Sequence, residues 1–560
     1  MPSDASPAPK PPGLPPPGAA APGARLARLV QHPACVGVAC GLAALVVYVV
    51  SAAPGINWQD SALHQYRVFT GRLENPLGLA LTHPLHYWLG RAVLRLPLDP
   101  AYGLNLLSAL CGAAGIGLLA ATITSLTRCA PAAVLGAATT ALSFSYWQMS
   151  AITETYTLAA ALMTLEWLLL LAYARSHRPQ LLAGVFAVNG FHVANHLLGL
   201  LPLSVYGILA LDRLARRKLS PRDFALVLAA WVVAAAPYWS LAVEHYWHTG
   251  SAAVTLKSAL FGGTHHGDGF AKEVLNVRLS WDQFKLSVWV LGYNFPSLAT
   301  IVALLGFLRR PEADRVFGNA MRAVTVIIAV FVLRYPILDH YTFYTPLCAC
   351  VGLWFGVEAA RILRGGLPGR RRWLAGAIVA SPLVQVATYV AFPPLAERLG
   401  FMRHLLNDLP YRNEYKHFFE PWKTGDNSPE LYAAAVLGRM APGDVYIGSG
   451  TTAYAVAAYA AVRGAPAEIE IFSWSGSLTR PERGPMDEEP MRDEVRRLIA
   501  RGSRVFADSD LFVVYRFDDE RPPRPGQPPR AESGFRIDRS REIWEVVWDP
   551  PPASQPHGPQ

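Results

Sequence analysis

From about Pro33 to Phe392 the chain runs through one apolar block after another, each close to the roughly 20 residues a helix needs to cross a bilayer. Nine such blocks lie near 34–53, 102–124, 130–148, 154–174, 223–242, 286–308, 321–338, 341–362 and 373–392. A further stretch, 181–211, is too long for one ordinary span and short for two. Beyond Phe392 the apolar runs shorten and charged residues return. Two compartments of sequence therefore exist, one written for lipid and one for water.

Charge resolves the ambiguous stretch. Arg and Lys number two in 174–180, five in 212–223, four in 309–322 and five in 361–373, and short basic loops face the cytoplasm. For 174–180 and 212–223 to lie on the same side, 181–211 must go out and return as two short spans that turn near His192 to His196. The expectation is an α-helical polytopic membrane protein of about eleven spans, with the N-terminus cytoplasmic and a small C-terminal α/β domain outside. The same threading puts loops 54–101, 148–153, 242–285 and 339–341 on the outer face. In the first of these, the amphipathic Leu79 to Leu98 is expected to lie along the interface.

The net charge of +9 does not indicate nucleic acid, because the basic residues sit in short loops between spans and report topology. All six cysteines lie in or beside apolar spans, so no disulfide framework and no usual redox or metal pair is present. The expected division is a Pro- and Ala-rich cytoplasmic tail over 1–32, a membrane domain over 33–392, an extracytoplasmic domain over 393–520 and a Pro-rich tail over 521–560. In the third part, Val445 to Ile447, Gly448-Ser449-Gly450 and Ala453 to Val462 read as strand, glycine turn and helix. Ile469 to Phe472, Arg504 to Ala507 and Leu511 to Phe517 read as further strands. The lone Gly-Ser-Gly is no nucleotide fingerprint, and a structural or acceptor-binding domain is expected.

Ionisable groups at span ends are costly and mark functional candidates. Asp60 lies just beyond the first span, His83 further along the same loop, Glu154 at the start of the fourth span, Asn195 and His196 at the expected hairpin tip, and Asp339 with His340 between the ninth and tenth. All belong to one face. A carboxylate there can act as general base on a hydroxyl or stabilise a cationic transition state. Arg334, one turn inside Asp339, suits a phosphate because a guanidinium fork matches its oxygens. Each has a plainer alternative: a solvated acid for Asp60, a helix-start acid for Glu154, turn chemistry for His83 and for Asn195 with His196, and an ion pair between Asp339 and Arg334. His265 and His266, in the Gly-rich 262–269, lack supporting ligands for a metal; one acid per loop is too few to argue a site elsewhere, which leaves a divalent metal an open question.

Several short patterns resemble, in order, those of the GT-C superfamily of membrane glycosyltransferases, and within it the transmembrane protein O-mannosyltransferases and their bacterial relatives. They are Gln59-Asp60-Ser61-Ala62-Leu63, His83-Pro84-Leu85-His86-Tyr87, Asn105-Leu106-Leu107-Ser108-Ala109, Trp147 with Glu154-Thr155-Tyr156-Thr157-Leu158, Ala194-Asn195-His196, and Asp339 with Phe343 and Pro346. The family's first-loop Glu is replaced here by Leu63, and its second Pro and Gly by Leu85 and His86, which leaves Asp60 as the acid of that motif. The resemblance implies inverting transfer of a sugar from a polyprenyl-phosphate carrier to a protein, lipid or glycan acceptor on the non-cytoplasmic side, and the Ala- and Arg-rich composition suits a bacterial plasma membrane. Asp60 would be the general base or the acid that orients the acceptor, with Arg334 and the histidines near the phosphate. The competing classes are a transporter or flippase, which calls for mid-span charges and an internal repeat, neither of which is evident, and a membrane scaffold.

Overall fold

The computed structural model describes residues 31–73, 78–263, 270–309, 314–337, 339–365, 369–403, 406, 409–473, 475–480, 483, 486, 488–508, 535–538 and 544–548. The expected tail 1–32, but for its last two residues, lies outside the described residues, as do His265, His266 and the expected strand Leu511 to Phe517.

Helix α1 (Pro33–Ser51) leads into a connecting segment with two short helices, α2 (Gln59–Thr70) and α3 (Pro84–Val93), and then α4 (Pro100–Thr127). There follow α5 (Ala130–Ala141), α6 (Phe144–Ala151), α7 (Tyr156–Ser176), α8 (Pro179–Asn195) and α9 (Leu200–Ala215). A bent pair, α10 (Pro221–Ala234) and α11 (Ala236–Thr249), precedes the short α12 (Ala252–Phe261) and α13 (Ala271–Val274). A second bent pair, α14 (Trp281–Asn294) and α15 (Ala299–Leu308), is followed by α16 (Arg315–Arg334), α17 (Tyr344–Arg364) and α18 (Gly369–Leu399).

Seven helical segments among the described residues are long and apolar enough to cross a membrane, or nine if each bent pair is one span. The chain is a multi-pass membrane protein. Eleven spans were expected, and the two expected blocks outside this count form shorter helices. Block 130–148 is interrupted at Leu142 and Ser143 into helices of 12 and 8 residues, and α8 has 17 residues. Stretch 181–211 does divide, at His196, whose extended backbone (φ −158°, ψ 137°) ends α8. Leu79 to Leu98 is not one amphipathic helix but a 3-10 turn, Leu79–Leu81, followed by α3.

Small residues let the helices touch. A Cβ on Gly37 of α1 would meet the carbonyl oxygen of Gly117 on α4 at 2.8 Å, so only glycine allows this approach. Asp99 caps α4, its Oδ1 accepting from the amides of Ala101 and Tyr102 at 3.0 Å each. The sharp bend of 104° between α14 and α15 frees backbone carbonyls inside the bundle, where each must be satisfied. Tyr389 Oη donates to the carbonyl of Asn294 at 3.0 Å, and Gln385 Nε2 donates to the same oxygen at 2.8 Å.

Past the expected boundary at 392, α18 continues through Pro393 and Pro394 to Leu399. Then come α19 (Glu414–Phe419), α20 (Ser428–Leu437), β1 (Val445–Ile447), α21 (Gly450–Arg463), β2 (Glu470–Ser473), β3 (Gly476–Ser477), α22 (Glu488–Ala500), β4 (Val505–Ala507), β5 (Phe535–Asp538) and β6 (Trp544–Trp548). They make one six-stranded sheet in the order β3-β2-β1-β4-β6-β5, with β2, β1 and β4 parallel and the other pairings antiparallel. The expected Pro-rich tail thus contributes two strands to the sheet.

This domain is bolted to α2. One apolar core joins Ile56, Trp58, Ala62, Leu63 and Tyr66 to Tyr432, Tyr446, Ala453, Tyr454 and Ala457. Polar contacts surround it. Trp58 Nε1 donates to Ser428 Oγ at 3.0 Å, Tyr66 Oη donates to the carbonyl of Leu478, and Arg463 pairs with Asp99 at 2.7 Å and Glu430 at 3.1 Å. The helix that carries Asp60 is held between the membrane bundle and the soluble domain.

Candidate active site

The segment around Asp60 is built on a closed polar knot. Asn105, on α4, donates through Nδ2 to the carbonyls of Ala53 (2.8 Å) and Gly55 (2.9 Å). Its Oδ1 accepts from Asn57 Nδ2 at 2.7 Å and Thr153 Oγ1 at 2.6 Å. One turn on, Ser108 Oγ accepts from the amide of Glu154 at 2.9 Å. The Asn105 to Ala109 motif therefore has a physical role: its two polar residues, three apart on one helix face, anchor the Asp60 and Glu154 segments side by side.

Asp60 lies in the first turn of α2, directly after Gln59, whose φ of +56° puts a non-glycine residue in the left-handed region. Backbone strain of that kind persists only where the surroundings enforce it, and it clusters at functional sites. The side chain is exposed, whereas Ser61, His64 and Glu154 around it are buried. Asp60 is thus the exposed member of an otherwise buried polar cluster. Ser61 Oγ donates to Glu154 Oε1 at 2.7 Å, and His64 Nε2 stands 3.8 Å from Glu154 Oε2.

Three carboxylates act on one another here. Burial, reinforced by the charges of Asp60 and Asp339 and opposed by the Ser61 hydrogen bond, pushes Glu154 up to about 8. Burial and the charge of Asp60 push Asp339 up to about 7. The dense surroundings raise Asp60 as well, against the pull of Arg67. Like charges gathered in one site cannot all ionise at neutral pH, so they titrate as a group.

A histidine cluster adjoins the acids. His83 donates from Nδ1 to the carbonyl of Asn195 at 2.8 Å and stacks on His196, ring centroids 5.0 Å apart. His64 stands edge-on to His83 at 5.3 Å and faces His86 at 5.9 Å. His196 Nδ1 accepts from the amide of Leu198 at 3.1 Å, which leaves the neutral ring's proton on Nε2. Asn195 Nδ2 donates to the carbonyl of Thr155 at 3.0 Å and so ties the end of α8 to the Glu154 segment. Burial holds His83 down to about 4 and His86 to about 3.

The structure brings Asp60, Glu154 and Asp339 into mutual electrostatic reach, and His83, Asn195 and His196 beside them. Arg334 and His340 are engaged elsewhere. Arg334 donates to the carbonyls of Val274 and Asn276 and lies over the Phe331 ring at 5.6 Å, and no ion pair joins it to Asp339. His340 Nε2 bonds the carbonyl of Val332 at 2.7 Å. Among the described residues no three His, Cys, Asp or Glu side chains gather closely enough to hold a metal ion.

Sequence reasoning missed His64 and Arg67, although their spacing of four and seven from Asp60 on one helix face was a usable signal. It also overlooked a mid-span acid. Glu166, on α7, meets His192 Nδ1 at 3.0 Å, Asn189 Nδ2 at 3.1 Å and Tyr206 Oη at 3.1 Å. His192 therefore lies within α8 and faces this pair, rather than at a hairpin tip.

This bundle, with its acids at one end and a soluble domain beside them, is GT-C-like in fold. It matches the crystal structure of ArnT from Cupriavidus metallidurans bound to undecaprenyl phosphate, with a TM-score of 0.50, 15% identity, and coverage of 91% of this chain and 97% of that one. Apo ArnT from the same organism matches at a TM-score of 0.49 and 16% identity, over 85% of this chain and 93% of that one. The oligosaccharyltransferase AglB from Archaeoglobus fulgidus, in complex with an inhibitory peptide and a dolichol-phosphate, matches at 0.47 and 12%, over 84% and 69%. More particularly, residues 82–219 match the family described as the protein O-mannosyl-transferase TMEM260 N-terminal domain. No curated protein sequence matches the chain.

Proposed function

We propose that this protein is a membrane glycosyltransferase that moves a sugar from a polyprenyl-phosphate carrier to an acceptor hydroxyl on the non-cytoplasmic face. The observation that carries this reading is the solvent-exposed Asp60 beside two further, mutually interacting carboxylates, at the end of a GT-C bundle. The Asp60 carboxylate takes the proton of the acceptor hydroxyl as its oxygen attacks the anomeric carbon. The bond from that carbon to the phosphate oxygen breaks, and polyprenyl phosphate leaves with the electron pair, so the configuration inverts. Glu154 and Asp339 stabilise the positive charge that develops on the sugar. His83 and His196 line the donor side, positioned by Asn195.

The O-mannosyltransferase match favours a hexose, mannose first, and a protein acceptor. The basic loops favour a cytoplasmic N-terminus and an outward C-terminal domain. The mid-span Glu166 would suit a transporter, but its hydrogen bonds to three neighbours make it a packed structural group. The test is transfer of labelled sugar from polyprenyl-phosphate mannose to peptide by purified protein. Transfer lost in Asp60→Asn supports the proposal, and undiminished transfer by that variant rules the mechanism out.

A further inference from the structure

Arg67 lies two turns beyond Asp60 on α2 and is 4% exposed. No carboxylate among the described residues pairs with it, and its one hydrogen bond runs to Tyr87 Oη at 3.5 Å. The charge of Asp60 reaches Arg67 without forming an ion pair, and a guanidinium taken out of water without a close partner costs several kcal/mol. A ligand phosphate would give the guanidinium the hydrogen-bonded partner it lacks.

Two independent features face the same region. Helix α3, ten residues long, begins at His83 with Pro84 in its first turn, and no side chain caps it. Its first amides and the positive end of its dipole are therefore available to an anion. His86, in that first turn, is 1% exposed, and neither ring nitrogen has a partner. A buried imidazole with both nitrogens idle is expensive unless something hydrogen-bonds to it. Arg67 bonds Tyr87, the residue after His86, and His64, whose ring lies 5.9 Å from that of His86, feels the Arg67 charge, which puts the guanidinium near this imidazole.

We infer that Arg67, His86 and the uncapped start of α3 form a binding site for a phosphate group. This rests on the glycosyl-transfer reading for the identity of the donor, but not for the chemistry of the niche. Seven residues of helix separate Asp60 from Arg67 by about 10 Å, which leaves room for one sugar ring between a base at one end and a departing phosphate at the other. In-line inversion needs that arrangement. Arg334, by contrast, already has its guanidinium on two backbone carbonyls.

The test uses the full-length protein in phosphatidylcholine nanodiscs and measures binding of a polyprenyl monophosphate, the matching polyprenol and inorganic phosphate. Arg67→Gln is expected to weaken the polyprenyl monophosphate by about 10- to 100-fold, the worth of a charge-assisted hydrogen bond, and to leave the polyprenol unchanged. Arg67→Lys restores part of the loss, and Arg334→Gln binds as the wild type does. Should Arg67→Gln fail to fold, His86→Gln is expected to weaken the same ligand several-fold. Inorganic phosphate that competes only at far higher concentration identifies the lipid headgroup as the source, and equal competition identifies free phosphate; both support the phosphate site. Wild-type affinity in folded Arg67→Gln and His86→Gln, equal loss of the polyprenol, or loss on Arg334→Gln instead would overturn it. Phosphate binding that depends on Arg67 in a protein that transfers no sugar would leave the niche standing and the glycosyl-transfer reading fallen.

Discussion

Ser61 and Glu154, 93 positions apart in sequence, meet through a 2.7 Å hydrogen bond from Ser61 Oγ to Glu154 Oε1. That contact joins the helix bearing Asp60 to the segment that opens α7, and it opposes the rise that burial imposes on the Glu154 carboxyl.

Glu154→Gln removes a like charge from the group. The remaining carboxyls then ionise more readily, so the acid limb of the transfer rate against pH is expected to move to lower pH. In the wild type that limb should lie above the ordinary carboxylate range near 4. A rate profile of the variant whose limb stays put or moves upward would contradict the shared titration.

The same group has a stability signature. Glu154 titrates at about 8 when folded, above its unfolded value of about 4.3. Its contribution is therefore full below the unfolded value and is lost as pH rises toward 8. The Tm of Glu154→Gln relative to wild type is expected to increase between pH 5 and pH 8, and a difference independent of pH would count against it.

His192→Ala leaves Glu166 buried within the span without its imidazole partner. Breaking a buried pair in this way costs about 3–5 kcal/mol, read as a fall in Tm or in the yield of monodisperse protein. Restoration by the double variant His192→Ala, Glu166→Gln would show that the uncompensated group is the cause, and an unchanged Tm in the single variant would refute the packing role.

Tyr454 lies at the seam between α21 and α2, 1% exposed. Tyr454→Ala is expected to destabilise by about 3–5 kcal/mol, as for a large buried aromatic, and to loosen α2, so that transfer falls together with protease resistance of the C-terminal domain. Transfer retained by a variant whose domain is cleaved would show that the domain does not position Asp60.

Orientation is tested with exposed positions. A cysteine at Ala465→Cys should react with a membrane-impermeant maleimide added outside intact cells, and one at Lys218→Cys only after permeabilisation. The reverse pattern would invert the topology.

Much of this was legible in sequence because lipid imposes simple rules. Apolar length marked the helices, and the basic loops required 181–211 to divide, which it does at His196. The acids at the span ends stood out because charge is costly there. What stayed hidden depends on three-dimensional packing. The spacing of Arg67 from Asp60 hints at a shared helix face, but its burial shows only once Tyr87 and the histidines of α3 are seen around it. Arg334 looked available because its partners, the carbonyls of Val274 and Asn276, are backbone atoms about 60 positions away that no side-chain pattern reveals. The break at Leu142 and Ser143 was invisible because Ser143 interrupts an apolar block without changing its hydropathy.

The most direct test of the central claim compares Asp60→Asn with wild type in transfer of labelled sugar from a polyprenyl-phosphate donor, with donor binding and Tm measured alongside. Asp60 is exposed, so folding and donor binding should persist while the rate falls about 10²- to 10⁴-fold, the usual contribution of a general base. A variant that binds donor and transfers at the wild-type rate would show that Asp60 is not the base.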